Sequence, residues 1–381
     1  MRVDSDNTHS TRPSTPNDPL DDSRSRGARL ACVALSLLPI WWWRDVAAAL
    51  KAGREPADVL DEQVAERWPA QPHRRGEILE RARSALIRGA DAGLALIAWN
   101  EESYPPPLTA IIDPPPVLWV RGSVAALVAP AVAIVGSRAA SPYALDVANQ
   151  LGADLAARGV TVVSGLARGV DSAAHRGALS VGGATVAILG CGADAVYPPE
   201  HAGLAREIEG RGLIASELVP STEPLPQFFP QRNRIISGLS LAVVIVEAGQ
   251  RSGSLITARC ALEQGREVLA VPGNVLSGRN RGGHALLRDG AKIVETADDI
   301  LEELGVPAVE RNAQGPSPGS DASQDRVLAC LTPGEACDLD AISERSGLPP
   351  ARLLPRLLEL ELRGRIRRAG AGRFVRFDRS C

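Results

Sequence analysis

The sequence predicts an α/β protein built on a doubly wound, mostly parallel, Rossmann-like sheet. Short β-branched runs recur within residues 126–304: "AVAIVGS", "VTVVSG", "ATVAILG", "LIASE", "LAVVIVEA", "EVLAVPG" and "AKIV". They are nearly continuous apolar stretches rather than alternating ones, which is how strands buried on both faces of a parallel sheet read. Helical spacing fills the gaps, and regular strand–helix alternation is the mark of a doubly wound sheet.

The elements follow in chain order. Residues 1–28 are polar, acidic and rich in Pro and Ser, with no apolar core of a secretory signal; the expectation is a disordered tail. Residues 29–125 are expected to form a small N-terminal helical domain, closed by the Pro-rich lead-in "SYPPPLTAIIDPPPVLWVRG". Within it the apolar run Ala31–Trp43 contains Pro39 and is too short to cross a bilayer. It reads as a buried helix and turn without membrane contact, and Trp41, Trp42 and Trp43 are expected to fill a core, the alternative being a partner surface. After the first strand, Ser141 and Pro142 suit an N-cap and first helical position. Leu145, Ala148, Leu151 and Leu155 then recur at helical spacing, and Gly159 can stop the helix. Residues 305–325 read as a linker by composition. Residues 326–381 form a small basic tail domain of three helices and a two-stranded ribbon joined by a glycine turn.

Composition bounds the function. The chain has 381 residues and a net charge of −3, so any nucleic-acid contact rests on a local basic patch. Six cysteines are scattered without a C-x-x-C pair, which disfavours zinc and a disulfide framework and fits a reducing cytoplasm.

In doubly wound sheets ligands bind beyond the carboxyl ends of the strands. The loops there are "GSR" (Gly136, Ser137, Arg138), "SGLARGVDSAAH" (Ser164 to His175), "GCGADAVYP", "EAGQRSGSLITA" (Glu247 to Ala258) and "PGN". Glycines allow close backbone approach, and helix N-termini offer N–H groups to anions, so this edge is expected to hold phosphate. Neither G-x-G-x-x-G nor G-x-x-x-x-G-K-[ST] is present, so NAD and NTP chemistry lack their residues and no cofactor is expected. Arg138, Arg168, Arg232, Arg234 and Arg251 offer guanidinium forks to a phosphate chain, and Phe228 and Phe229 offer bases a stacking face. Ser164, Asp171 and His175 invite a triad reading. Yet Asp171 and His175 lie four apart on one expected helix, an ordinary side-chain pair, and no nucleophile elbow accompanies them. The chain is therefore expected not to be an enzyme. The alternative is a Rossmann-type nucleoside-monophosphate phosphoribohydrolase of the lysine-decarboxylase-like kind. Its P-G-G-x-G-T-x-x-E loop needs a glutamate where this chain has Thr257.

Together "VAIVGSR", "VVSGLARGVDSAAHRGAL", "TVAILGCGADAVYPPEH", "FPQRNRIISGLS" and "VIVEAGQRSGSLITARCALEQGREVLAVPGN" resemble the DNA-processing protein A family (DprA, also called Smf). The resemblance extends over residues 100–304. It implies a cytoplasmic homodimer that binds single-stranded DNA, protects incoming strands and loads the RecA recombinase in natural transformation. It places DNA contacts on Gly136, Ser137 and Arg138, on Ser164 and Gly165, and on Arg232, Asn233 and Arg234. The residues themselves add Arg168, Phe228, Ser252 and Gly253. Many relatives carry a basic residue after the "YP" turn, where this chain has Pro199, Glu200 and His201. The tail domain resembles a winged helix, although Pro355 falls inside its third helix.

Overall fold

The computed structural model describes residues 19–99, 101–305, 326–332, 335–362, 365–369 and 373–376. Residues 1–18 of the expected tail, linker residues 306–325 and the ribbon's glycines at 370 and 372 lie outside the described residues. Two compact units are present, residues 1–310 and 311–381.

The first unit begins with four helices, α1 (Pro19–Ser36), α2 (Trp43–Lys51), α3 (Pro56–Arg67) and α4 (Arg74–Asp91). Helix α1 thus starts inside the segment read as tail. The run Ala31–Trp43 ends α1, turns at Pro39 and passes through a short 3-10 helix into α2. Cys32, Val33, Leu35, Trp42 and Val46 are buried. Trp43 is buried as well and donates its indole N–H to Leu38 O at 3.0 Å. Trp41 corrects the expectation of three core tryptophans, because it is 76% exposed.

Strands β1 (Ala95–Ala98) and β2 (Val117–Gly122) flank a short helix α5 (Pro106–Thr109). They pair antiparallel with each other, and β2 pairs antiparallel with a later strand, so the stretch read as helical contributes a sheet edge. The chain then alternates: β3 (Ala131–Val135), α6 (Pro142–Ala157), β4 (Thr161–Ser164), α7 (Val170–Ser180), β5 (Thr185–Ile188), α8 (Ala202–Arg211) and β6 (Leu213–Ser216). It continues through α9 (Phe228–Gly238), β7 (Ala242–Ile245), α10 (Ser254–Glu263), β8 (Glu267–Ala270), α11 (Arg281–Arg288), β9 (Lys292–Ile293) and α12 (Ala297–Glu303). Every one of the seven apolar runs is a strand, and β3 to β9 are mutually parallel. The nine strands lie in the order β1-β2-β6-β5-β4-β3-β7-β8-β9.

Burial explains the continuous apolar pattern. Val132 and Ile134 pack on one face against Ala148, Leu151 and Leu155 of α6. Ala133 and Val135 pack on the other with Ile235 and Ile236 of α9. Each fully buried aliphatic side chain contributes about 1.5–3 kcal/mol, so neither face tolerates polar alternation. Helix α6 starts and ends as its sequence dictates: Ser141 Oγ accepts Ala144 N–H at 3.2 Å, Pro142 is the first helical residue, and Gly159 turns out at φ +77°.

The second unit holds α13 (Arg326–Ala329), β10 (Ala336–Cys337), α14 (Leu339–Ser346), α15 (Pro350–Leu362), β11 (Ile366–Arg368) and β12 (Phe374–Arg376). The two ribbon strands pair antiparallel, and β10 adds a third strand beside β12. The three helices and paired strands make a winged helix. Pro355 lies inside α15, and its side chain is exposed.

Candidate nucleic-acid interface

Strand order reverses between β3 and β7: β4, β5 and β6 lie to one side and β8 and β9 to the other. The loops leaving β3 and β7 therefore part, and a crevice of about 760 Å³ opens at their carboxyl ends. Gly136, Ser137, Arg138, Arg232, Asn233, Ser252 and Gly253 all line it, so one site gathers residues from three distant stretches.

Five expected contacts lie elsewhere. Ser164 is buried, with Oγ donating to Ile134 O at 2.7 Å. Gly165 lies behind the crevice wall, where a methyl group would overlap the Arg232 guanidinium. Arg168 is exposed and paired with Glu200, the acidic residue after the "YP" turn. Phe228 does not border the crevice, but Phe229 does. Arg234 is buried on the far side of α9, with Nη2 at 2.6 Å from Glu217 Oε2 and Nε at 3.2 Å from Asp113 Oδ2. Its guanidinium also lies 5.3 Å from the Trp43 ring.

The local reason is helical phase. Residues 228–238 form a helix, so Phe229, Arg232 and Asn233 share a face at spacings of three and four, whereas Arg234 points away. That periodicity was the signal available in "FFPQRNRIISG". Phe229 is the centre of the crevice's aromatic wall. Its ring is 5.4 Å from Tyr197, 5.3 Å from the Arg138 guanidinium and 6.0 Å from that of Arg232. Such cation–π contacts hold the ring and the two arginines together.

The glycine loops supply fewer free N–H groups than their composition suggests. Asp171 Oδ2 accepts from Gly165 N at 3.1 Å and Ala167 N at 3.4 Å. Ser137 N donates to Glu247 O at 2.7 Å. Asn280, buried and unforeseen in the sequence, accepts Ala248 N–H at 2.9 Å and donates to Val271 O at 3.0 Å. At the start of α6, Glu247 accepts from both Ser141 N (3.2 Å) and Ser141 Oγ (2.7 Å), and Pro142 has no N–H. A carboxylate of the chain itself thus lies at the helix terminus where a dinucleotide phosphate would sit in a Rossmann fold.

The positive charge of the crevice therefore comes from guanidinium groups. Arg138 and Arg251 are exposed on its rim. Arg232 is buried in its wall, donating through Nη1 to Gly165 O at 2.6 Å and also to Ile188 O. Burial lowers the Arg232 pKa to about 10, opposed by the Asp171 charge, so the side chain remains protonated at neutral pH. Burial also pushes the Asp171 carboxyl up, against the pull of Arg232 and of its two N–H donors.

The triad residues do not converge. Ser164 faces Ile134, Asp171 holds the β4–α7 loop, and His175 Nδ1 lies 2.7 Å from Thr185 Oγ1. The loop of the hydrolase alternative brings Thr257 to the crevice, and Glu247 is committed to Ser141. Among the described residues no His, Cys, Asp or Glu cluster could hold a metal ion. No single helix among them is long and apolar enough to cross a membrane.

The family of the DNA recombination-mediator protein A matches residues 95–305, and the DprA winged helix domain matches residues 311–372. Protein Smf of Escherichia coli is 43% identical over 293 residues, covering 75% of this chain and 78% of its own. The putative DNA processing protein DprA of Mycobacterium tuberculosis is 44% identical over 275 residues, 68% of this chain and 70% of its own. The crystal structure of DprA from Streptococcus pneumoniae superposes with a TM-score of 0.57 at 39% identity, covering 61% of this chain and 82% of that one. A Helicobacter pylori DprA structure, described for its single-stranded DNA binding mode, gives 0.51 at 30% identity, covering 56% and 97%. Sequence motifs, the likeness to solved DprA structures and both domain matches agree: the chain belongs to the DNA recombination-mediator protein A family of DNA-processing proteins, DprA and Smf.

Proposed function

We propose that the chain binds single-stranded DNA in the crevice between β3 and β7, with Arg138, Arg232 and Arg251 facing the sugar–phosphate chain and Phe229 facing a base. The carrying observation is the Arg138–Phe229–Arg232 cluster, which combines cations with an aromatic ring at the switch point of the sheet. The residual role of Ser137, Asn233, Ser252 and Gly253 is to shape and line this groove. Phosphates plus stacking, without a convergent nucleophile or base, describe a binding site rather than a catalytic one. The Helicobacter pylori relative supports the choice of single strands. In this reading the protein works in the cytoplasm as a homodimer, shields incoming strands and hands them to the RecA recombinase during transformation.

The test is fluorescence anisotropy of a labelled oligo-dT and its duplex across a salt series, with wild type and Arg138→Ala. Arg138 is exposed, so its removal leaves the core intact. Preferential single-strand binding, with a log–log salt slope shallower by up to about 0.7 in the variant, is expected for one lost phosphate contact. Equal slopes and equal affinities would remove the crevice from the DNA path. Faster RecA nucleation on single strands in the presence of the protein would support the loading role.

A further inference from the structure

The loops that border the crevice also border a second hollow beside it. Arg138 and Ala139 line the crevice, and Ser141, Pro142 and Tyr143 line a neighbouring space of about 750 Å³. After β7 the same division recurs, with Gly249 on the crevice and Glu247 on the second space. The two hollows are thus adjacent along the carboxyl edge of the sheet. Arg279 lines the second one and donates to Ala139 O at 2.9 Å, which fixes a further guanidinium at the divide.

The second hollow has the surface chemistry of a base site. Tyr143 is 53% exposed, yet its hydroxyl donates to Pro272 O at 3.1 Å, so the ring is held in place. Val275 and Leu276 line the same space and are 75% and 93% exposed. Single exposed apolar side chains need no explanation, but three around one concavity at the ligand edge of a parallel sheet mark a binding surface. Glu247 and Arg279 both line the hollow, so a phosphate is drawn to Arg279 at the divide and away from the Glu247 carboxylate, which leaves the apolar surface of Tyr143, Val275 and Leu276 for the flat, uncharged face of a base.

We propose that this hollow is a second base subsite. A single strand leaving the first crevice crosses the Arg138–Arg279 divide and stacks a base on Tyr143 beside Leu276. The proposal rests on the reading that the first crevice holds single-stranded DNA, and it adds a subsite to that path. Arg279 keeps guanidinium N–H groups beyond the one spent on Ala139 O, so the phosphate between the two bases meets positive charge on both sides.

The experiment compares the full-length wild type, Tyr143→Ala and Tyr143→Phe by anisotropy with labelled oligo-dT of about four and about twelve nucleotides, the range of single-strand site sizes. The longer oligonucleotide reaches both hollows and the shorter one fills the crevice. Loss of one stacking contact weakens binding roughly 5-fold or more. The expected result is that Tyr143→Ala shows this loss with the longer oligonucleotide and none with the shorter. Tyr143→Phe keeps the ring and loses only the tether to Pro272 O, so it retains most of the affinity for the longer oligonucleotide and all of it for the shorter. Unchanged binding of the longer oligonucleotide by Tyr143→Ala would overturn the subsite, and so would an equal loss for both lengths. If wild type binds neither length, the crevice reading itself fails and the subsite falls with it.

Discussion

Arg232 and Arg234 stand two residues apart on α9 and face opposite ways. Arg232 borders the crevice and donates to the Gly165 carbonyl, whereas Arg234 is sealed against Glu217, Asp113 and the Trp43 ring. Two helical residues differ by about 200° in direction, so one turn can serve two surfaces. Arg234 joins the N-terminal helices, through Trp43, to the Pro-rich lead-in, through Asp113, and to the end of β6, through Glu217. It is a joint inside the first unit, and the crevice arginines are Arg138, Arg232 and Arg251.

Arg234 therefore matters for stability. Its side chain is 8% exposed and that of Glu217 is 3% exposed. Removing one partner of a buried pair strands the other charge, at a cost of about 3–5 kcal/mol. Urea denaturation of Arg234→Ala should show a loss of that size. The exposed Arg138→Ala should stay within about 0.5 kcal/mol of wild type. Equal denaturation midpoints for Arg234→Ala and wild type would contradict the joint.

Much of this architecture is legible in the sequence. The seven parallel strands announce themselves because both faces are buried, so their apolar runs have no polar gaps. The crevice follows from them, since strand ends locate ligands in this fold class. Strands β1 and β2 hide because their short apolar runs adjoin prolines and an alanine-rich helix, and only pairing with β6 reveals them. The direction of Arg234 becomes legible only once residues 228–238 are taken as a helix with Pro230 in its first turn, because the three-and-four spacing of Phe229, Arg232 and Asn233 has meaning only in that conformation. The occupied loop donors hide for a different reason. Glu247 and Ser141 are 106 residues apart, and Asn280 and Ala248 are 32 apart, so no local pattern pairs them.

His175 predicts an acid-sensitive fold. The Thr185 hydroxyl donates to Val162 O, so it can only accept from His175, which places the imidazole proton on Nδ1. The Nε2 atom is buried without a hydrogen-bond partner. Burial first, and then the Arg232 charge, lower the His175 pKa to about 3. An unfolded histidine titrates near 6.5, so the unfolded chain gains a proton that the folded chain refuses. The stability contributed by neutral His175 is complete above about pH 6.5 and falls as pH drops toward 3, by about 1.4 kcal/mol per pH unit. Urea midpoints of wild type should decline between pH 6.5 and 5 more steeply than those of His175→Gln. Parallel profiles would show that His175 takes up its proton in the fold.

Phe229 and Arg138 should separate by the kind of energy each supplies. Arg138 carries charge to the rim, and its loss should act through the salt dependence of binding. Phe229 carries no charge. Its ring lies between Tyr197 and two guanidinium groups, and its edge packs where any side chain at Gly190 would stand. Replacing it with leucine keeps apolar volume and removes the π face. Stacking of one base is worth about 1–3 kcal/mol, so Phe229→Leu should weaken oligo-dT binding by roughly 5- to 150-fold. The salt slope should remain that of wild type, because no phosphate contact is lost. A shallower slope in Phe229→Leu would mean that the ring acts by holding Arg138 and Arg232 in place. Unchanged affinity would take the base off Phe229 altogether and leave the crevice gripping only the backbone.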